Sequence, residues 1–229
     1  MRGLICIQIL IYALAVTSWL GAEESIIIFG EYPVVEELGR GSFEDKKGEE
    51  LVPFIHYEKG EGYKEKAFIE ALHILNANVF GYTFAYKPGS ILMKTEEIFD
   101  VKVRGSIDSS MVYIEAEGVS ENIYRIKLGF KITPSVHKWQ SAFHSGTIRP
   151  LDSEGTSDFY RGWEARSEAL YDALRNLVLS TARRQLSSKP LLLKGDILLN
   201  GNPEFSVGAG RHYCKIHGFV NFVEIITYD

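Results

Sequence analysis

Only two cysteines, Cys6 and Cys214, occur in 229 residues, which excludes a small scaffold stapled by disulfides. Catalytic signatures are missing too. There is no G-x-S-x-G elbow, no Walker phosphate loop, no H-E-x-x-H and no C-x-x-C. Excess positive charge is absent: 25 Lys and Arg stand against 30 Asp and Glu, a net charge of −5. That balance argues against a general nucleic-acid binder. No Asn-x-Ser/Thr sequon is present, which fits a bacterial envelope. What remains is 45% hydrophobic and 24% charged, the composition of an ordinary folded protein rather than a disordered, collagen-like or polytopic membrane chain. Aromatic residues make up 12%, which suits a β-rich or α+β core.

The N-terminus carries the one long apolar run. Met1-Arg2 gives a short positive start, Leu4 to Val16 is almost wholly apolar, and Gly21-Ala22 precedes Glu23-Glu24. That order predicts a secretory signal peptide over residues 1–22, cleaved after Ala22 or after Ser18. An uncleaved anchor is the less favoured reading, because the run is shorter than the roughly 20 residues of a membrane span. Cleavage leaves no transmembrane span, and it removes Cys6. Cys214, in a strand-like run, is expected to be buried. No cysteine follows the apolar run as a lipidation site.

Beyond the leader, Ser25–Gly30 reads as a short β run, and the charged stretch Glu44–Glu50 as an exposed loop. Val52–Tyr57 reads as a strand, near an edge because of Pro53. Ala67, Phe68, Ala71, Leu72, Leu75 and Val79 recur at three-and-four spacing and predict a helix from about Tyr63 to Phe80, ended at Gly81. Strands are predicted at Phe99–Val103, Met111–Ala116 and, most clearly, Tyr124–Ile132, where apolar residues alternate with Arg125, Lys127 and Lys131. Residues 133–160 read as a connector; Pro134, Ser141 and Gly146 argue against a helix there. A second helix is predicted from Gly162 to Leu186, with Ala169, Leu170, Ala173, Leu174, Leu177 and Val178 inward and Arg166, Arg175, Arg183 and Arg184 outward. Strands return at Leu191–Leu199, Glu204–Gly208 and His212–Ile226, with a turn at Asn200–Pro203.

The two helices share a pattern, Gly60…Ala67…Ala71-Leu72…Leu75 against Gly162…Ala169…Ala173-Leu174…Leu177. Each is followed by strands. The expectation is an α+β fold with two helices packed on antiparallel sheets, arranged as two similar helix-then-strands units. The first unit spans residues 23–132 and the second 161–229.

No catalytic, cofactor-binding or metal-ligating set emerges. Gly60-Glu61-Gly62 precedes a helix, but Glu61 repels an anion there. His212 and Cys214 share one face of a strand while His217 lies on the other, so the three do not converge on a metal. His137 and His144 would stack only on a helix. Glu96-Glu97 and the pair Asp152 and Glu154 read as solvated charge. The aromatic and arginine residues Trp139, Phe143, Tyr160, Arg161, Trp163 and Arg166, with Phe159 beside them, either staple the two units together or form a protein-interaction surface, since Trp, Tyr and Arg dominate interface hot spots.

An export signal, a strand, G-x-G, a helix with A-x-x-x-A-L and then alternating strands make a pattern that resembles the N-terminal domain of the flagellar assembly protein T group and the related small outer-membrane lipoproteins. The residues that carry it are Gly60, Gly62, Ala67, Ala71, Leu72 and Tyr124–Ile132, with Gly162, Ala169, Ala173 and Leu174 as a second match. The lipidated cysteine of the lipoprotein branch is lacking. The resemblance implies a non-enzymatic periplasmic structural or assembly role beside the flagellar motor or outer membrane. The implied partners are envelope or motor proteins, or further copies of the chain, with no nucleic acid and no cofactor. The alternative is a periplasmic binding module for a cell-wall glycan or small ligand; a hydrolase with scattered residues is the third reading.

Overall fold

Alternating apolar residues need one face buried, and three-and-four spacing needs one stripe buried. The computed structural model describes residues 24–34, 54–57, 62–90 and 94–227. In chain order the elements are β1 (Ser25–Pro33), α1 (Tyr63–Val79), β2 (Tyr82–Lys87), β3 (Ile98–Val103), β4 (Val112–Ser120) and β5 (Ile123–Lys131), then α2 (Pro134–Phe143), β6 (Leu151–Asp158), α3 (Arg166–Gln185), β7 (Pro190–Leu199), β8 (Glu204–Gly208) and β9 (Arg211–Thr227). They build a mixed α+β protein, with three helices and two antiparallel sheets among the described residues. The predicted leader, residues 1–22, and the Glu44–Glu50 loop lie outside the described residues.

The smaller sheet has the order β1-β5-β4. Tyr124, Ile126, Leu128 and Phe130 of β5 are all buried, beneath α1. The larger sheet runs β3-β2-β7-β9-β6, with β8 paired to the first half of β9. Helix α3 covers one face of it through Leu170, Leu174, Leu177 and Val178, against Leu193, Ile197, Cys214, Ile216 and Val220. Helix α2 covers the other face at one end, where Phe143 packs on Leu198 and Phe219. β2 and β3, from the first predicted unit, share this sheet with β7 to β9 from the second.

Three elements depart from the sequence expectations. Residues 133–160, read as a connector, hold α2 and β6. Pro134 sits at the first position of α2, where its missing N–H costs nothing, and Thr133 caps the helix by accepting the Val136 N–H at 3.4 Å. β6, with the sequence LDSEGTSD, lacks large alternating apolar residues because its inward positions must be small to admit α3. β2 also forms, between α1 and the first strand predicted after it, Phe99–Val103. Phe54–Tyr57, by contrast, is irregular rather than a strand; the remainder of that predicted strand lies outside the described residues. The Phe54 N–H goes to Glu168 Oε1 at 3.0 Å, and its ring packs 5.2 Å from His73 and 5.5 Å from Tyr171.

Both long helices meet their sheets through the same device. A Cβ at Gly30 of β1 would lie 2.1 Å from the Ala67 carbonyl oxygen and 2.8 Å from Ala71 Cβ. A Cβ at Gly155 of β6 would lie 2.3 Å from the Ala169 carbonyl oxygen and 2.1 Å from the Ala173 nitrogen. A strand glycine under an alanine pair thus sets each helix at close range.

A different contact ties the sheets together. β7 and β8 run along the same flank of β9, interrupted by residues 200–203. There Asn202 Oδ1 accepts the Phe29 N–H at 2.9 Å, and its Nδ2 donates to the Ile27 carbonyl at 3.1 Å. The side chain takes the place of a neighbouring strand on the outer edge of β1. Asn78 of α1 accepts the Gly201 N–H at 2.8 Å.

The close approach makes a quantitative prediction. Gly30→Ala and Gly155→Ala each force backbone to move and are expected to lower unfolding free energy by ~1–3 kcal/mol. Gly118→Ala, with nothing within 4 Å of the new methyl, serves as the neutral control. Urea unfolding midpoints measure all three; an unshifted midpoint for Gly155→Ala would contradict the packing described.

Candidate functional site

The six candidate residues divide between two places. Trp139 and Phe143 lie on α2, in the cluster with Leu198, Phe219 and Ile148. Their rings are 5.1 Å apart, and the Arg104 guanidinium stacks 4.2 Å over Trp139. Tyr160, Arg161, Trp163 and Arg166 lie at the start of α3, over the opposite face of the large sheet. Tyr160 is 81% exposed, beside the exposed ring of Phe159. Phe143 and Arg166 are buried, while Trp139, Arg161 and Trp163 are half-buried.

Arg166 is the clearest correction to the sequence reading. Expected on the outer face of α3, it is only 4% exposed. Its position three residues before Ala169 puts it on the helix's inner stripe. Nη1 binds Glu31 Oε1 of β1 at 2.9 Å, and Nη2 binds Glu70 Oε1 of α1 at 2.8 Å. Trp163 and Phe205 flank the guanidinium at 4.7 and 4.1 Å. The Trp163 indole N–H donates to the Glu31 carbonyl at 3.2 Å. Arg125 of β5 completes the row by binding Glu31 Oε2 at 3.0 Å.

A second set of charges adjoins the first. Lys66 of α1 binds Glu164 at 2.7 Å, and the Tyr32 hydroxyl donates to the same carboxylate oxygen at 2.8 Å. α1, β1, β5 and the start of α3 are therefore joined by three acids and three bases. The sequence reading missed Glu31, Glu70, Lys66 and Glu164. The available signal was Glu70, a charge on the α1 stripe between Ala67 and Ile74.

Burial sets the protonation chemistry. Loss of water around Glu70 pushes its carboxyl up to about 7, against the pull of Arg166 and with Glu31 adding to the rise. Glu31 is held below the ordinary range: Arg166 and Arg125 together outweigh its own desolvation. Glu70 Oε2, Arg166 Nε and the Tyr57 hydroxyl are buried without a hydrogen-bond partner among the described residues, and burial pushes the Tyr57 phenol up.

The remaining candidates are accounted for by local partners. His212 is buried with its ring 3.0 Å from the Gly162 carbonyl, and desolvation lowers its pKa. Cys214 is fully buried, and burial pushes its thiol up. His217 points the other way and pairs with Asp152 at 2.8 Å. His137 lies on α2 and His144 caps it; His144 stacks 4.7 Å from Phe219. Glu97 is clasped by Arg175 at 2.6 Å. Among the described residues, no group of three or more His, Cys, Asp or Glu is placed to hold a metal ion, and no helix is long and apolar enough to cross a membrane.

Of the shallow grooves among the described residues, two adjoin these elements. One, of about 490 Å³, is lined by Thr156, Ser157, Asp158, Tyr160, Gly210 and Arg211. The other, of about 400 Å³, lies between α1 and β4 and includes Phe68, Ile69, Ile114 and Ile126.

The Glu70 shift makes a pH prediction. A carboxyl raised above its unfolded value of 4.5 contributes stability that is fully present below that pH and is lost as pH rises through about 7. Glu31, shifted downward, acts below 4.5 instead. Glu70→Gln keeps an acceptor for Arg166 and removes the titration. Its stability relative to the native chain is therefore expected to improve by ~2–3 kcal/mol between pH 5 and pH 8. Urea unfolding across that range measures it, and parallel profiles for the two proteins would contradict it.

A family model for a domain of unknown function matches residues 24–228. No curated protein and no solved structure matches the chain. Because the match takes in every element from β1 to β9, the chain belongs to that family.

Proposed function

We propose that the protein is a non-enzymatic, exported structural or assembly component of the bacterial periplasm, associated with the flagellar motor or the outer membrane. Export rests on the order of the first residues: Met1-Arg2, the apolar run to Val16, and Gly21-Ala22 before Glu23. The observation that carries the assembly role is the aromatic pair Phe159 and Tyr160, exposed at the head of α3. Behind that pair, Trp163 and Arg166 are locked into the seam between β1, α1 and α3. A large, rigidly backed aromatic side chain loses little conformational freedom on binding, which is the character of an interface anchor.

We also propose that the fold descends from a duplication of a helix-then-strands unit, with residues 23–132 as one copy and the helix and strands of residues 161–229 as the core of the other. The matching close contacts, Gly30 under Ala67 and Ala71 and Gly155 under Ala169 and Ala173, support this reading. On this proposal each glycine strand belongs with the helix that follows it, so the second copy extends back to include β6.

A second reading has its own support. Tyr160 borders the groove with Thr156, Ser157, Asp158 and Arg211, and an aromatic face beside hydroxyl, acid and guanidinium groups suits a cell-wall glycan or small ligand.

Two measurements test the main reading. Intact mass of the chain recovered from expressing cells is expected to show a start at Glu23 or Trp19; a chain retaining Met1 would contradict the cleaved export signal. Tyr160→Ala, which removes an exposed ring, is expected to leave unfolding midpoints unchanged while cutting recovery with purified motor or outer-membrane assemblies by about tenfold or more, the weight of an interface anchor. Undiminished recovery contradicts the anchor. Binding of peptidoglycan fragments, lost in Tyr160→Ala, would transfer the site to the second reading.

A further inference from the structure

We propose that β3 pairs antiparallel with β3 of a second copy of this chain, about a two-fold axis through Val101, so that two large sheets become one. Among the described residues, β3 is an edge strand whose one neighbour is β2. The register pairs Tyr82 with Val103, and the next position along gives an Arg104 N–H to Gly81 carbonyl bond of 2.9 Å. Bonded and non-bonded pairs alternate in an antiparallel ladder. Ile98, Asp100 and Lys102 therefore spend their backbone groups on β2, whereas Phe99, Val101 and Val103 turn theirs outward. The Phe99 carbonyl is held by the Tyr171 hydroxyl. The outward N–H and C=O groups of Val101 and Val103 meet no partner among the described residues.

The sequence of this edge is complementary to itself. Centred on Val101, the two-fold register sets Asp100 opposite Lys102 of the second copy, and Lys102 opposite its Asp100. Phe99 falls opposite Val103 on the buried face. Asp100 and Lys102 are 56% and 76% exposed and joined within the chain by a 3.3 Å contact, a weak pair that can be exchanged for cross-strand ones. β3 also has no bulge and no proline.

Four other edges are defended in recognised ways. β4 carries Glu115 and Glu117 with no base, and its register shifts beyond Ile114. β6 carries Asp152, Glu154 and Asp158 with no base. Beyond Gly218, β9 bulges at Val223, because Gly195 pairs with Phe222 and Lys194 with Glu224. The β1 edge is closed by Asn202.

A strand pair of six residues buries less than the roughly 1,200 Å² of a stable complex, so the association is weak and concentration-dependent. It requires only β3 and stands apart from the export proposal. Sedimentation velocity of the full chain, from whichever cell fraction holds it, is expected to show monomer passing to dimer between about 1 µM and 1 mM. Asp100→Lys sets lysine against lysine and is expected to weaken dimerisation by about tenfold or more, as is Lys102→Asp by setting acid against acid. The doubly exchanged Asp100→Lys/Lys102→Asp chain restores both pairs and is expected to return to within about threefold of the native value. Unchanged circular dichroism confirms that these exposed substitutions leave the fold intact. A native chain that stays monomeric throughout, a single variant that dimerises undiminished, or a double variant that does not recover would each overturn the proposal.

Discussion

Arg166 lies buried between Glu31 and Glu70, and its position fixes how the two sheets can sit. The guanidinium is planar and its donors have fixed directions, so it satisfies both carboxylates only when β1, α1 and the head of α3 occupy one arrangement. Such a cluster is a poor source of net stability, because desolvating its charges offsets most of their attraction. Its effect is to penalise alternatives. Any slip of α3 along the large sheet, or of α1 along β1, leaves a charge buried without its partner. The glycine contacts act in the same sense from below. They bring each helix so close that any side chain in place of the strand glycine would meet helix backbone.

This rigidity is what gives the surface its meaning. Trp163 packs with Arg166 inside the seam, and only three residues further toward the N-terminus stands the largely exposed Tyr160. Its neighbour Phe159 takes the Gly210 carbonyl of the β8–β9 turn at 3.1 Å through its backbone N–H. The exposed aromatics are thus held from below by α3 and from the side by β9. A partner meeting them would meet a formed surface, which lowers the ordering cost of association.

How much of this could be read in the sequence depended on whether burial left a periodic trace. α1, α3, β5, β7 and β9 bury large apolar side chains at regular intervals and were legible. β6 was not, because what it buries are Ser153 and Gly155, chosen for what they leave out. α2 was obscured by Pro134, which in a helix's first turn is a start signal rather than a breaker. Arg166 was misplaced because its charge outweighed its spacing: counting back three residues from Ala169 sets it on the buried stripe, as counting on three from Ala67 does for Glu70. A matched acid and base on the inner faces of two different helices is a signal that sequence alone offers, provided the stripe is followed to its polar members. The partners Glu31 and Arg125 left no such trace, since pairing between β1 and β5 appears only once the register is known.

The account stands on the claim that Arg166 organises the seam from inside. Unfolding free energies of Arg166→Met and of Arg166→Met combined with Glu31→Gln and Glu70→Gln test it directly. The single replacement is expected to cost ~3–5 kcal/mol by leaving the buried Glu70 carboxylate without its base and Glu31 with Arg125 alone, and the triple replacement to recover most of that loss. A single replacement within about 0.5 kcal/mol of the native chain, the range of an ordinary surface change, would show that Arg166 does not hold the two sheets together.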